Sequence, residues 1–191
     1  MSATNWTAGP AARAVAALTC GAALLGGMSL AGAVRERDQL PTAAQAFLQA
    51  TIQASAVTAC LQGARDELYL PGGQRIGTAV AAQAALRRLR SCDVNALATQ
   101  LDAVHLPPAA PLTNTARRKA RADLVTGVST LRRVVLDSRG ADIAMTREVA
   151  DNSDGTAVVL AYRSASAGSD AAYALADEAL QLLGHPQSTP A

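Results

Sequence analysis

Residues 42–70 read TAAQAFLQATIQASAVTACLQGARDELYL, and the spacing of their apolar side chains decides the fold class. Phe47, Ala50, Ala54, Val57, Leu61, Ala64 and Leu68 recur at alternating intervals of three and four. On a helix those positions form one continuous stripe, whereas a half-buried strand would need alternation by two. Thr42, directly after Pro41, is suited to cap the first turn. Leu70-Pro71-Gly72-Gly73 ends the helix, because proline cannot continue it and glycine permits the reversal.

The same grammar continues downstream. A second helical stretch from Gln74 carries Ile76, Val80, Leu86 and Leu89, and its phase then slips to Val94, Leu97, Leu101 and Val104. Ser91 and Asp93 are good capping types at the slip, so a break into two shorter helices is expected. Residues 105–111 hold three prolines and predict a stiff extended connector. A third helix opens after Thr113 or Thr115 with Ala120, Leu124, Val128, Leu131 and Val135 in phase. Met145 and Val149 keep that phase past Gly140, which favours continuation to about Asp151 with a kink at the glycine. Asn152-Ser153-Asp154-Gly155 is the clearest turn.

After it, Val159, Tyr162, Ser166, Ser169, Tyr173, Ala176, Leu180 and Leu183 predict a fourth helix, ended by Gly184 and Pro186. Residues 142–163 also admit a β-hairpin, since Ile143, Met145 and Val149 and then Val158, Leu160 and Tyr162 suggest alternation by two. The longer helical seam outweighs it. Four long segments with short connectors predict an all-α, up-down-up-down helical bundle. Composition agrees: nearly a quarter of the chain is Ala, and the aromatics are only Trp6, Phe47 and three Tyr.

Ahead of the bundle stands an unbroken apolar run of 21 residues, Ala14 to Val34, flanked by Arg13 and by Arg35-Glu36-Arg37-Asp38. Such a run predicts an N-terminal hydrophobic export signal or anchor helix. Ala31-Gly32-Ala33 offers a signal-peptidase site; if uncut, Arg13 orients the N-terminus inside. The expected organisation is 1–34 signal or anchor, 35–41 linker, 42–184 extracytoplasmic bundle and 185–191 tail. Arg outnumbers Lys sixteen to one, which fits a GC-rich bacterial genome and hence the bacterial envelope. In that oxidising compartment Cys60 and Cys92 are expected to form a disulfide. A simple antiparallel turn would set position 60 near 84, so the pairing needs the break before Cys92.

The net charge of +2 hides an asymmetry: residues 75–139 carry +7 and residues 140–191 carry −5. Arg117, Arg118, Lys119 and Arg121 are the densest cluster and the expected partner-binding basic face, for a protein or an anionic envelope surface. Nucleic acid is not expected, because no aromatics interleave the basic stretches. His105 and His185 sit at helix ends without ligand-spaced neighbours, so no metal is expected. Glu148 and Asp151 share a helix face at a spacing read as solvated surface. No nucleophile–base, phosphate-loop or cofactor pattern is present. The expectation is a non-enzymatic contact protein without a cofactor. The alternative is a small-ligand sensor bundle using Tyr162, Ser166, Ser169 and Tyr173.

Overall fold

The computed structural model describes residues 39–108, 114–151 and 155–184, and among them no strand is formed. Helix α1 covers residues 39–66, α2 Ala79–Ser91, α3 Val94–Asp102, α4 Thr115–Asp151 and α5 Thr156–Leu182. The alternative hairpin at 142–163 is replaced by the end of α4 and the start of α5. No described helix is long and apolar enough to cross a membrane, and residues 14–34 lie outside the described residues.

The α1 stripe is buried as its spacing requires. Phe47, Ala50, Ala54 and Ala64 are fully buried, and Val57, Leu61 and Leu68 nearly so. Chain direction follows from the contacts. Ser55 and Ser169 hydroxyls meet at 3.1 Å, and Tyr162 donates to Gln62 Oε1 at 2.8 Å, so α1 and α5 are antiparallel. Lys119 pairs with Glu178, and Ser164 donates to Asp137, so α4 and α5 are antiparallel too. Phe47 packs on Gly127 near the start of both helices, which makes α1 and α4 parallel. Arg139 reaches Asn95 at 3.4 Å while Arg132 flanks Leu101, laying α3 antiparallel to α4. The starts of α1 and α4 and the ends of α3 and α5 therefore share one pole. The turn at 67–78, the end of α4 and the start of α5 occupy the other.

Local chemistry moves several boundaries. The chain is already helical at residue 39, so Thr42 is interior and Pro41 is accommodated near the start of the described helix. Residues 67–78 form a hairpin-like turn with an isolated bridge between Tyr69 and Arg75, and Ile76 N–H donates to the Leu68 carbonyl. The returning leg is spent as extended chain, so α2 begins five residues later than Gln74, capped by the Thr78 hydroxyl. Val80 consequently lies in the first turn and is 75 % exposed instead of buried. Asp93 caps α3 by accepting from Ala96 N–H at 2.8 Å. For α4 the cap is Asn114, which accepts from Arg117 N–H at 2.9 Å. The helix then continues through Gly140.

In α5 the expected seam is buried at Ser169, Ala176 and Leu180, but the buried face is centred to one side of the tyrosines. Val158, Ala165, Ala172 and Ala179 are buried, whereas Tyr162 and Val159 are half-buried and Tyr173 is exposed. The cause is separation. A Cβ on Gly168 would stand 2.7 Å from Val134 Cγ2, so α4 and α5 meet at a distance that only small side chains tolerate.

Cys60 and Cys92 sulfurs sit at disulfide-bond distance, 2.01 Å, with a Cα–Cα separation of 5.5 Å. The chain leaves α2 at Cys92, and this break turns the second thiol toward α1. Arg88 crosses Gly63 and pairs with Glu67 at 3.7 Å beside it.

Two glycines in α4 should respond oppositely to alanine. At Gly127 a Cβ collides with the buried Phe47 ring, while at Gly140 it meets nothing within 4 Å. Gly127→Ala is expected to lose about 1–2 kcal/mol in urea unfolding, because overpacking outweighs the gain in helix propensity. Gly140→Ala should gain about 0.5–1 kcal/mol in the same assay. Separately, reducing the bond across a separation of 32 residues should lower stability by about 3–4 kcal/mol, with a matching mass change on thiol alkylation.

Candidate functional site

The four clustered cations differ in surroundings, and Lys119 and Arg121 have partners within the chain. Lys119 is held internally, 3.0 Å from Asp123 and 2.5 Å from Glu178 of α5. Arg121 is half-buried and donates from Nε to the Pro107 carbonyl at 3.2 Å, tying the connector to α4. Arg117 is half-buried, and Arg118 is exposed with a long 3.5 Å contact to Thr115. Four cations in five residues necessarily point around most of a helix. Two of them stabilise the bundle and leave Arg118 as the outward member.

Helical phase regroups the outward residues. Advancing about 100° per residue, Arg118, Val125, Arg132, Leu136, Arg139, Ile143 and Arg147 fall on one outward line of α4. All seven are exposed, and the apolar members strongly so: Val125 45 %, Leu136 61 % and Ile143 54 %. The α4 carboxylates lie elsewhere. Asp123 and Asp137 pair with Lys119 and Arg133, Glu148 is buried, and Asp142 and Asp151 are off the line in phase. Arg132 and Arg147 have neither an ion pair nor a hydrogen bond among the described residues. From Arg118 to Arg147 the line spans about 44 Å at the usual helical rise. Guanidinium and large apolar groups thus alternate along one exposed surface of the helix.

Beside the middle of this line runs a groove of about 300 Å³ between α3 and α4. Its floor is Leu101 and Val135, which are 5 % and 7 % exposed, and its rim carries Arg132, Leu136 and Arg139. Density of charge along the sequence pointed to residues 117–121. The signal that finds the longer line is phase, read jointly for arginines and large apolar residues over 118–147.

The remaining candidates disperse. His105 Nδ1 meets the Ala103 carbonyl oxygen at 2.8 Å beyond the end of α3, and His185 lies outside the described residues. Among the described residues no three His, Cys, Asp or Glu side chains gather as metal ligands. Ser169 is buried against Ser55, Tyr162 is engaged by Gln62, and Tyr173 is exposed. None of these, nor Ser166, lines the clefts of about 420 and 290 Å³ at the turn pole, which are walled by Arg65, Tyr69 and Gly73.

Glu148 corrects the expectation of a solvated face, since it is fully buried. The 67–78 turn folds over it: Arg75 Nη2 donates to the Glu148 carbonyl at 3.0 Å, and Tyr69 and Gly155 close the space above. Gly155 has a φ of 73°, and a Cβ there would fall on the Tyr69 hydroxyl. This polar knot fastens the 67–78 turn to the end of α4 and to Gly155.

Comparison with protein-family models, curated proteins and solved structures finds no match to this chain.

Lys119 titrates above its ordinary range, chiefly because Glu178 accepts a hydrogen bond from the ammonium and Asp123 accepts a second. A raised pKa means that the contribution to folding is complete below the ordinary value of 10.5 and is lost as pH rises through the folded value. Wild-type protein should therefore melt above Lys119→Met at about pH 9, and the gap in Tm should close at higher pH, above the unperturbed lysine range.

Proposed function

We propose that this chain is a non-enzymatic contact module of the bacterial envelope, an accessory or scaffold subunit that holds an acidic partner on the outward line of α4. The supporting observation is that line itself: unpaired arginines and 45–61 % exposed Val125, Leu136 and Ile143 on one face, with the helix's own carboxylates turned elsewhere. Isolated exposed apolar residues are ordinary, but a continuous apolar and single-signed stripe attracts a complementary surface. The apolar run at 14–34 supports export, either as a cleaved signal or as a membrane anchor with its N-terminus inside.

Immobilised poly-glutamate supplies a defined acidic surface for testing the contact. The full chain should be retained and released by salt, and Arg132→Glu/Arg139→Glu/Arg147→Glu should abolish retention. A control with the same charge change, Arg87→Glu/Arg90→Glu/Arg163→Glu, should bind nearly as wild type. Equal loss in both variants would leave only net charge at work and refute the α4 face. In the same strain, N-terminal sequencing should give either a chain beginning at Val34 or an intact chain in the membrane fraction. Intact soluble chain in the cytosol would refute the envelope assignment.

A further inference from the structure

The groove between α3 and α4 has features that identify what kind of acidic partner fits it, an inference that rests on the contact role of α4. We propose that it seats one amphipathic helix of a partner, with carboxylates on Arg132 and Arg139 and apolar side chains over Leu136.

Three observations favour a helix. First, the site is concave. Leu101 and Val135 form a floor between two helices, and Ala98 on the α3 side is small enough to admit a neighbouring backbone. Helices dock into such grooves through side chains at i, i+3, i+4 and i+7. Second, the spacing matches. Arg132 and Arg139 are seven residues apart with Leu136 between them, so a helix lying along α4 can set two carboxylates two turns apart and an apolar residue between. Third, the apolar contact extends beyond the groove. Val125 and Ile143 bracket it along the same line, and a partner helix covering both would need about eighteen residues at the usual rise.

The same details disfavour a lipid surface. Helices that lie in a membrane interface segregate cations on one face and apolar residues on the other. On α4 the two kinds alternate within a single line, so burying Leu136 in lipid would drag the guanidinium groups of Arg132 and Arg139 down with it. The rim also includes Asp102. Against an anionic sheet that carboxylate is repelled, whereas a peptide can offer it a cation and thereby fix the direction in which it lies.

The test uses the full chain and a labelled twenty-residue helical peptide with Leu at i, i+3, i+4 and i+7 positions, flanked by Glu two turns apart. Binding followed by anisotropy should be at least tenfold tighter than for a scrambled peptide of identical composition. Leu136→Asp should weaken it at least tenfold; its exposed position should leave the thermal unfolding unchanged, which the same sample checks. Arg132→Glu/Arg139→Glu should lose the acidic peptide and acquire the matching Lys peptide. Equal binding of the helical and scrambled peptides, with poly-glutamate retention still dependent on the α4 arginines, would overturn the groove and leave the contact role standing. Loss of that dependence would overturn both. Phosphatidylglycerol vesicles that bind in a Leu136-dependent way, with no peptide binding, would likewise overturn the helix in favour of lipid.

Discussion

The bundle depends on how closely its long helices can approach. Gly127 admits the ring of Phe47, and Gly168 lies against Val134, so α4 meets α1 and α5 with no room for a side chain at either glycine. Alanines fill most of the remaining contact, with Ala165, Ala172, Ala176 and Ala179 buried along α5 and Ala50, Ala54 and Ala64 along α1. Close approach raises the number of dispersion contacts without large side chains, which explains how a chain with one phenylalanine builds a core. It also makes the core intolerant: an added methyl has no empty volume to occupy.

Periodicity made much of this legible. The α1 stripe reads directly, because Phe47, Val57, Leu61 and Leu68 are large and their phase is unambiguous. Capping chemistry placed the break at Asp93 for the same local reason. In α5 the largest side chains misled, since Tyr162 is only half-buried and Tyr173 exposed, while Ala165 and Ala172 between them are fully buried. Residue size signals burial only where helices are far enough apart to need filling. Glu148 was not legible at all. Its burial is imposed by Tyr69 and Arg75, which arrive from a turn more than seventy residues earlier, and no local pattern encodes that.

The charged residues divide along the same boundary between local and distant causes. Lys119 and Arg121 look available in sequence, yet each is claimed by another segment, the first by α5 and the second by the connector at Pro107. Arg132 and Arg147 attract less notice because they are spread out, and no described group claims them. Their alignment with Val125, Leu136 and Ile143 emerges only when a helix of 37 residues is drawn as one object. The α4 surface thus follows from helix length, which in turn follows from Gly140 being carried within the helix.

The parallel course of α1 and α4, with α5 reversed against both, has a mechanical consequence. Residues 39 and 184 lie at one pole, so tension between these two residues peels α5 from its neighbours a contact at a time, the weakest way to load paired rods. Tension from residue 39 to a cargo gripped along α4 acts differently. There the load runs lengthwise between two rods pointing the same way, and all of their shared contacts must slide together. A tether at the front of the chain and a load on α4 would therefore use the bundle along its strong axis.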